Sequence, residues 1–165
     1  MGPRTDTVYV SRTHRLKEAS PITHAAALRP WGKELRWSWP RDGNRQTLEG
    51  AGITLAAQYR EQGLNLLHEY SHYIEGNGQK SVSVEAGLMD MLQRIESGRF
   101  KVFKHLNDWF EEFRLYHRRD GKVFKEHDDL MSATRYAIMC LRSARTKQDR
   151  VSFDREISYP AMGIY

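Results

Sequence analysis

A chain of 165 residues with 39% apolar and 11% aromatic content fills the core of one domain, which excludes a disordered chain. A net charge of +5 suits a polyanionic partner. The single cysteine, Cys140, excludes an intrachain disulfide framework and suits a reducing cytoplasm. No Cys/His cluster has zinc spacing, and no apolar run is long enough to cross a bilayer.

In chain order, Thr7–Val10 is a short β-rich run. Ser20-Pro21 reads as an N-cap and first helical residue, opening a helix over Ile22–Leu28 that ends at Arg29-Pro30. Leu35–Trp39 alternates apolar and polar residues as a strand does and stops at Pro40-Arg41-Asp42-Gly43. The Asp-Gly pair is either plain turn chemistry or an acid held at the carboxyl end of a core strand, where open α/β sheets place their ligands. Thr47–Gln62 has helical periodicity with Gly63 as its stop, Leu64–Leu67 suits a buried strand, and His68–Gln79 reads as a loop. Within it Gly76–Ser81 lacks the Gly-Lys-Ser/Thr ending of a phosphate loop, and His68 and His72 read as a surface pair rather than metal ligands.

Ser83–Ser97 is the next helix, with Val84, Leu88, Met91, Leu92 and Ile95 as its apolar stripe. Arg99–Lys104 is strand-like, and Leu106–His117 is an amphipathic helix carrying Leu106, Trp109, Phe110, Phe113 and Tyr116. Arg118–Lys122 forms a basic hairpin-like turn. His127-Asp-Asp-Leu130 then opens the last helix, whose apolar spacing falls on Leu130, Ala133, Thr134, Ala137, Ile138 and Leu141. Short strands alternating with helices give an α/β class. The two acids at a helix start read either as an N-cap followed by a first-turn acid, or as hard oxygen ligands for Mg²⁺ or Mn²⁺.

Arg99–Phe103, Trp109-Phe-Glu-Glu112, Tyr116–Lys122, His127–Leu130 and Ala133–Tyr136 follow one another in a specific order and spacing. Upstream, Trp39–Gly43, Leu55–Tyr59, Gly63–Asn65 and Val84–Gly87 extend the series. Over roughly residues 7 to 141 the chain resembles the C-terminal nuclease domain of the large terminase subunit of tailed bacteriophages. The resemblance implies an RNase H-like fold of the ribonuclease H/resolvase type and a metal-dependent endonuclease that cuts concatemeric phage DNA. It implies Mg²⁺ or Mn²⁺ as a two-metal site, double-stranded phage DNA as substrate, portal protein and small terminase subunit as partners, and the cytoplasm of the bacterial host as location.

By that resemblance the catalytic, metal-ligating acids fall on Asp42 and on Asp128 or Asp129. An Asp-x-Leu-x-x-Ala pattern favours Asp128, whereas helical phase favours Asp129, and both stay candidates. A shared site requires Asp42 and the doublet to converge within a few ångströms. Lys101, Lys104, Arg114, Arg118, Arg119, Lys122 and Lys125 are candidates for sequence-independent phosphate contacts.

The family's central strand, which carries the first bridging Asp, should precede Thr7–Val10 and finds no counterpart after Met1. The expectation is therefore a nuclease domain over residues 1–145 that is incomplete at its N-terminus, with a tail over 146–165. As a fragment it should be inactive or impaired and prone to self-association through an open sheet edge. The alternatives are a non-catalytic basic module that binds DNA or a partner, and a prophage remnant.

Overall fold

Residues 6–46, 52–119, 121–123 and 128–141 are described by the computed structural model. Two chain segments far apart in sequence start the architecture. Strand β1 (Val8–Val10) pairs in parallel with β4 (Phe100–Val102), Val8 opposite Phe100 and Val10 opposite Val102. Val8, Val10 and Val102 pack against a cluster of Met91, Phe100, Leu106, Trp109, Leu130, Met131 and Ile138. That cluster is closed by α3 (Val84–Glu96), α4 (Asn107–Leu115) and α5 (Asp129–Met139).

Between the two strands lies a second group of elements. Helix α1 (Pro21–Leu28) starts as the Ser-Pro signal predicts, the Ser20 hydroxyl accepting from the Thr23 N–H. It packs on α2 (Leu55–Glu61), which Thr54 caps in the same way through the Ala57 N–H. The helix expected over 47–62 is thus one short element here. Residues 47–51 lie outside the described residues, and an antiparallel bridge joins Gln46 to Thr54 ahead of it.

The two expected strands at 35–39 and 64–67 shrink to a single parallel bridge between Trp37 and Leu66. Their alternation was real, but side-chain contacts fix this region. The Trp39 indole N–H donates to the Leu67 carbonyl at 2.7 Å, and the Arg60 guanidinium lies 5.3 Å from the Trp39 ring. The supposed loop over 68–79 contains β2 (Tyr73–Ile74), which forms a hairpin with β3 (Lys80–Ser81). The basic turn is the expected hairpin, β5 (Arg118–Arg119) with β6 (Lys122–Val123).

Helix α5 buries only part of the face that its apolar spacing predicts, namely Leu130, Thr134 and Ile138. Ala133 and Ala137 are exposed, and the buried set is Leu130, Met131, Thr134, Arg135, Ile138 and Met139. The helix is held on two sides, by α3 and by α4, so it needs a wider covered face than one apolar stripe supplies. Arg135 fills the space opposite Gly87, where a Cβ would come within 2.5 Å of its Cγ. Among the described residues no helix is long and apolar enough to cross a membrane.

Candidate functional site

The acids at the head of α5 are placed by an interaction that the sequence reading missed. Asp128 occupies the N-cap position, yet its side chain makes no capping hydrogen bond. The two amides that such a side chain normally takes belong to Leu130 and Met131. Both donate instead to one oxygen of Glu112 from α4, at 2.7 and 3.2 Å. The other Glu112 oxygen accepts from Arg15 at 2.6 Å. Glu112 is 1% exposed, so its charge is balanced by Arg15 and by the positive end of α5 rather than by water.

One turn earlier on α4, the Trp109 indole N–H donates to the Thr134 hydroxyl at 3.0 Å, and that hydroxyl donates to the Leu130 carbonyl. The first two turns of α5 are therefore pinned by two residues three apart on α4. The sequence held a signal for this: Glu112 falls three residues after Trp109, on the side of α4 that should be apolar.

The cap reading of the doublet holds for position and not for hydrogen bonding: Asp128 is the N-cap residue and Asp129 the first-turn acid, while Glu112 takes the amides. Asp128 accepts from the Ser132 hydroxyl at 3.0 Å, and Asp129 is exposed. Beside Asp129 lies a cavity of about 510 Å³, also lined by His14, Arg15, Lys17, Glu18, His24 and Leu130. The His14 and His24 rings meet edge to face at 5.5 Å. Burial, and then repulsion from His14, push the His24 pKa below its ordinary value. A depressed histidine pKa means that the unfolded chain takes up the proton first as pH falls. This group's contribution to stability is thus intact above the ordinary histidine pKa and lost as pH drops through the folded value. The wild-type melting temperature is expected to fall between pH 7 and 5 by more than that of His24→Gln. Equal falls would remove His24 as the cause.

Asp42 comes from a different element. It lies on a 3-10 turn, Arg41–Asn44, with its side chain 70% exposed and Arg45 at 3.6 Å. Gly43 beside it is dictated by contact, since a Cβ there would reach within 2.6 Å of the Trp39 ring. The Trp39 carbonyl accepts from the Ser71 amide, and the Ser71 hydroxyl accepts from the Cys140 thiol. Those contacts lead to the C-terminal end of α5, while Asp128 and Asp129 stand at its head. The structure thus brings Asp128 and Asp129 together, and no hydrogen bond or ion pair among the described residues joins Asp42 to them.

Carboxylates are suitable donors for Mg²⁺ or Mn²⁺. Among the described residues, however, no group of three or more His, Cys, Asp or Glu side chains is arranged to hold a metal ion. The described donor set does not fit a two-metal centre.

Of the candidate phosphate contacts, Lys101, Lys104 and Arg114 are exposed, and Arg118 is exposed and ion-paired with Glu85. Arg119 and Lys122 lie on the β5–β6 hairpin, and Lys125 lies outside the described residues. The reading of His68 and His72 as a surface pair holds only for His68. His72 is buried, with its Nδ1 2.7 Å from the Tyr70 carbonyl and its Nε2 3.4 Å from Glu69.

Comparison with known proteins adds a family. A family model described as the terminase RNaseH-like domain matches residues 1–141. The large terminase subunit of Salmonella phage P22 is 35% identical over 145 residues, which are 87% of this chain and 28% of that protein. The large terminase subunit of Enterobacteria phage LP7 is 34% identical over 145 residues, or 87% of this chain and 29% of that protein. The chain therefore spans under a third of the length of these relatives. The solved structure of the P22 large terminase nuclease domain aligns with a TM-score of 0.72 and 35% identity, covering 85% of this chain and 70% of that one.

Proposed function

The chain belongs to the terminase RNaseH-like domain family, and from that premise we propose that it serves as a DNA-contacting part of a phage packaging nuclease that does not cleave DNA unaided. The RNase H-like α/β fold expected from the sequence stands with that family. The observation that carries the proposal is the head of α5. Glu112 caps the helix from outside, so the adjacent Asp128 and Asp129 are not used as its caps.

By carry-over from the family, Asp42, Asp128 and Asp129 are the positions at which Mg²⁺ or Mn²⁺ would be expected, but the described donors do not form a two-metal centre, so no step is assigned to such ions. Duplex phage DNA is the partner, met by Lys101, Lys104, Arg114, Arg118, Arg119, Lys122 and Lys125. The portal protein and small terminase subunit are its neighbours in the host cytoplasm.

The test uses the purified chain, supercoiled plasmid and Mn²⁺. Binding is expected to weaken with salt at a log–log slope of roughly −0.9 per engaged cation, with no nicking above background. The Arg114→Gln, Arg118→Gln double variant should flatten that slope by about 2. Loss of all DNA affinity at low salt would overturn the DNA role. Mn²⁺-dependent nicking that disappears in Asp128→Asn would overturn the non-cleaving assignment.

A further inference from the structure

The β1–β4 pair has an outer face that the core does not use. Val8, Val10, Phe100 and Val102 face the core, so strand alternation sends Tyr9 and Lys101 the other way, and these two are direct partners in the register. Phe103 extends the same row: it lies two residues beyond Lys101, and its N–H still donates to the Val10 carbonyl at 3.1 Å. Tyr9 is 61% exposed and Phe103 48% exposed, and Lys101 between them is exposed as well.

Two exposed aromatic rings separated by a lysine, Phe103 meeting the His105 ring edge to face at 5.9 Å, make a poor seat for an apolar protein surface. A second copy of this chain would bring the same cation against them, on a molecule already carrying a net charge of +5. A single nucleic-acid strand fits better, because its bases have free ring faces and its phosphates oppose the lysine. Duplex DNA keeps its bases stacked on one another and offers these rings nothing to stack on.

We propose that the outer face of the β1–β4 pair is a docking surface for single-stranded DNA, with Tyr9 and Phe103 stacking bases and Lys101 meeting phosphate. The inference rests on this sheet face and is independent of the acids at α5.

The experiment is fluorescence anisotropy of a labelled oligothymidylate against the full chain, with a labelled duplex of equal length beside it. Tyr9→Ala and Phe103→Ala are each expected to weaken oligothymidylate binding on the order of tenfold and to change duplex binding less than about twofold. Circular dichroism confirms that both variants fold, and Lys101→Gln, which removes no ring, should reduce the salt dependence of oligothymidylate binding. Three results would each overturn the proposal: no oligothymidylate binding by the wild type, unchanged binding in both ring variants, or equal losses for single strand and duplex. A concentration-dependent dimer in sedimentation that disappears in Tyr9→Ala would also overturn it, by giving the face to a second copy.

Discussion

Glu112→Ala is expected to destabilise the folded chain by about 3 kcal/mol, toward the lower end of what breaking a buried ion pair costs. Three losses combine. The Leu130 and Met131 amides lose their acceptor, a cap worth on the order of 1 kcal/mol. Arg15 loses its partner at 2.6 Å, a smaller penalty because its side chain is 27% exposed and water can reach it. The vacated space borders Met131, which is 1% exposed, so a cavity forms against the core.

For a domain of this size that corresponds to a fall of roughly 6–12 °C in melting temperature. Glu112→Gln keeps an acceptor for the amides and should lose about half as much. Asp128→Ala should cost under about 1 kcal/mol in the wild type, because Asp128 does not cap, and more in the Glu112→Ala background, where it becomes the only available cap. Additive melts for the two variants would show that Glu112 is not the cap.

Arg135→Met is expected to act in the opposite direction and raise stability by about 1–2 kcal/mol. Arg135 is 4% exposed and makes no ion pair among the described residues. Among the described residues its Nε has no hydrogen-bond partner, and one Nη lies 3.9 Å from the Met139 sulfur. The compensation it has is the Tyr136 ring, 4.4 Å from the guanidinium carbon, worth on the order of 2 kcal/mol when desolvated. Burying an unpaired cation costs several kcal/mol, so methionine, of similar reach and already compatible with Met139, should gain on balance. A melting temperature lowered by the substitution would mean that the charge has a compensating acid; Asp90 acts with Arg135 on Tyr73, and Asp128 and Glu85 act with it on Tyr116.

Local signals carried much of this architecture. Ser20-Pro21 and Ser83 cap helices where short-range chemistry says they should, and Gly98 and Gly121 take the left-handed backbone their turns require. The hairpin at Arg118–Val123 and the strand at Phe100–Val102 follow from turn residues and alternation. What local pattern did not carry was long-range. The choice of which face α5 buries depends on two helices flanking it, and an apolar-periodicity count assigns no place to Arg135.

The site shows the same division. The acid doublet is readable as a helix start, but one of its two readings gives Asp128 the cap hydrogen bonds that a glutamate sixteen residues earlier takes. A buried acid on an apolar helix face was the available clue. Its meaning depended on Arg15, which arrives from ninety-seven residues away.

That separation has a consequence for refolding. Val8 pairs with Phe100, and Arg15 with Glu112, so β1 and Arg15 stay without these partners until long loops close. Closing such loops is slow, and in the interval β1 offers an unpaired edge to any neighbour. Refolding from denaturant should therefore lose soluble protein as concentration rises, and an added holdase should restore the yield.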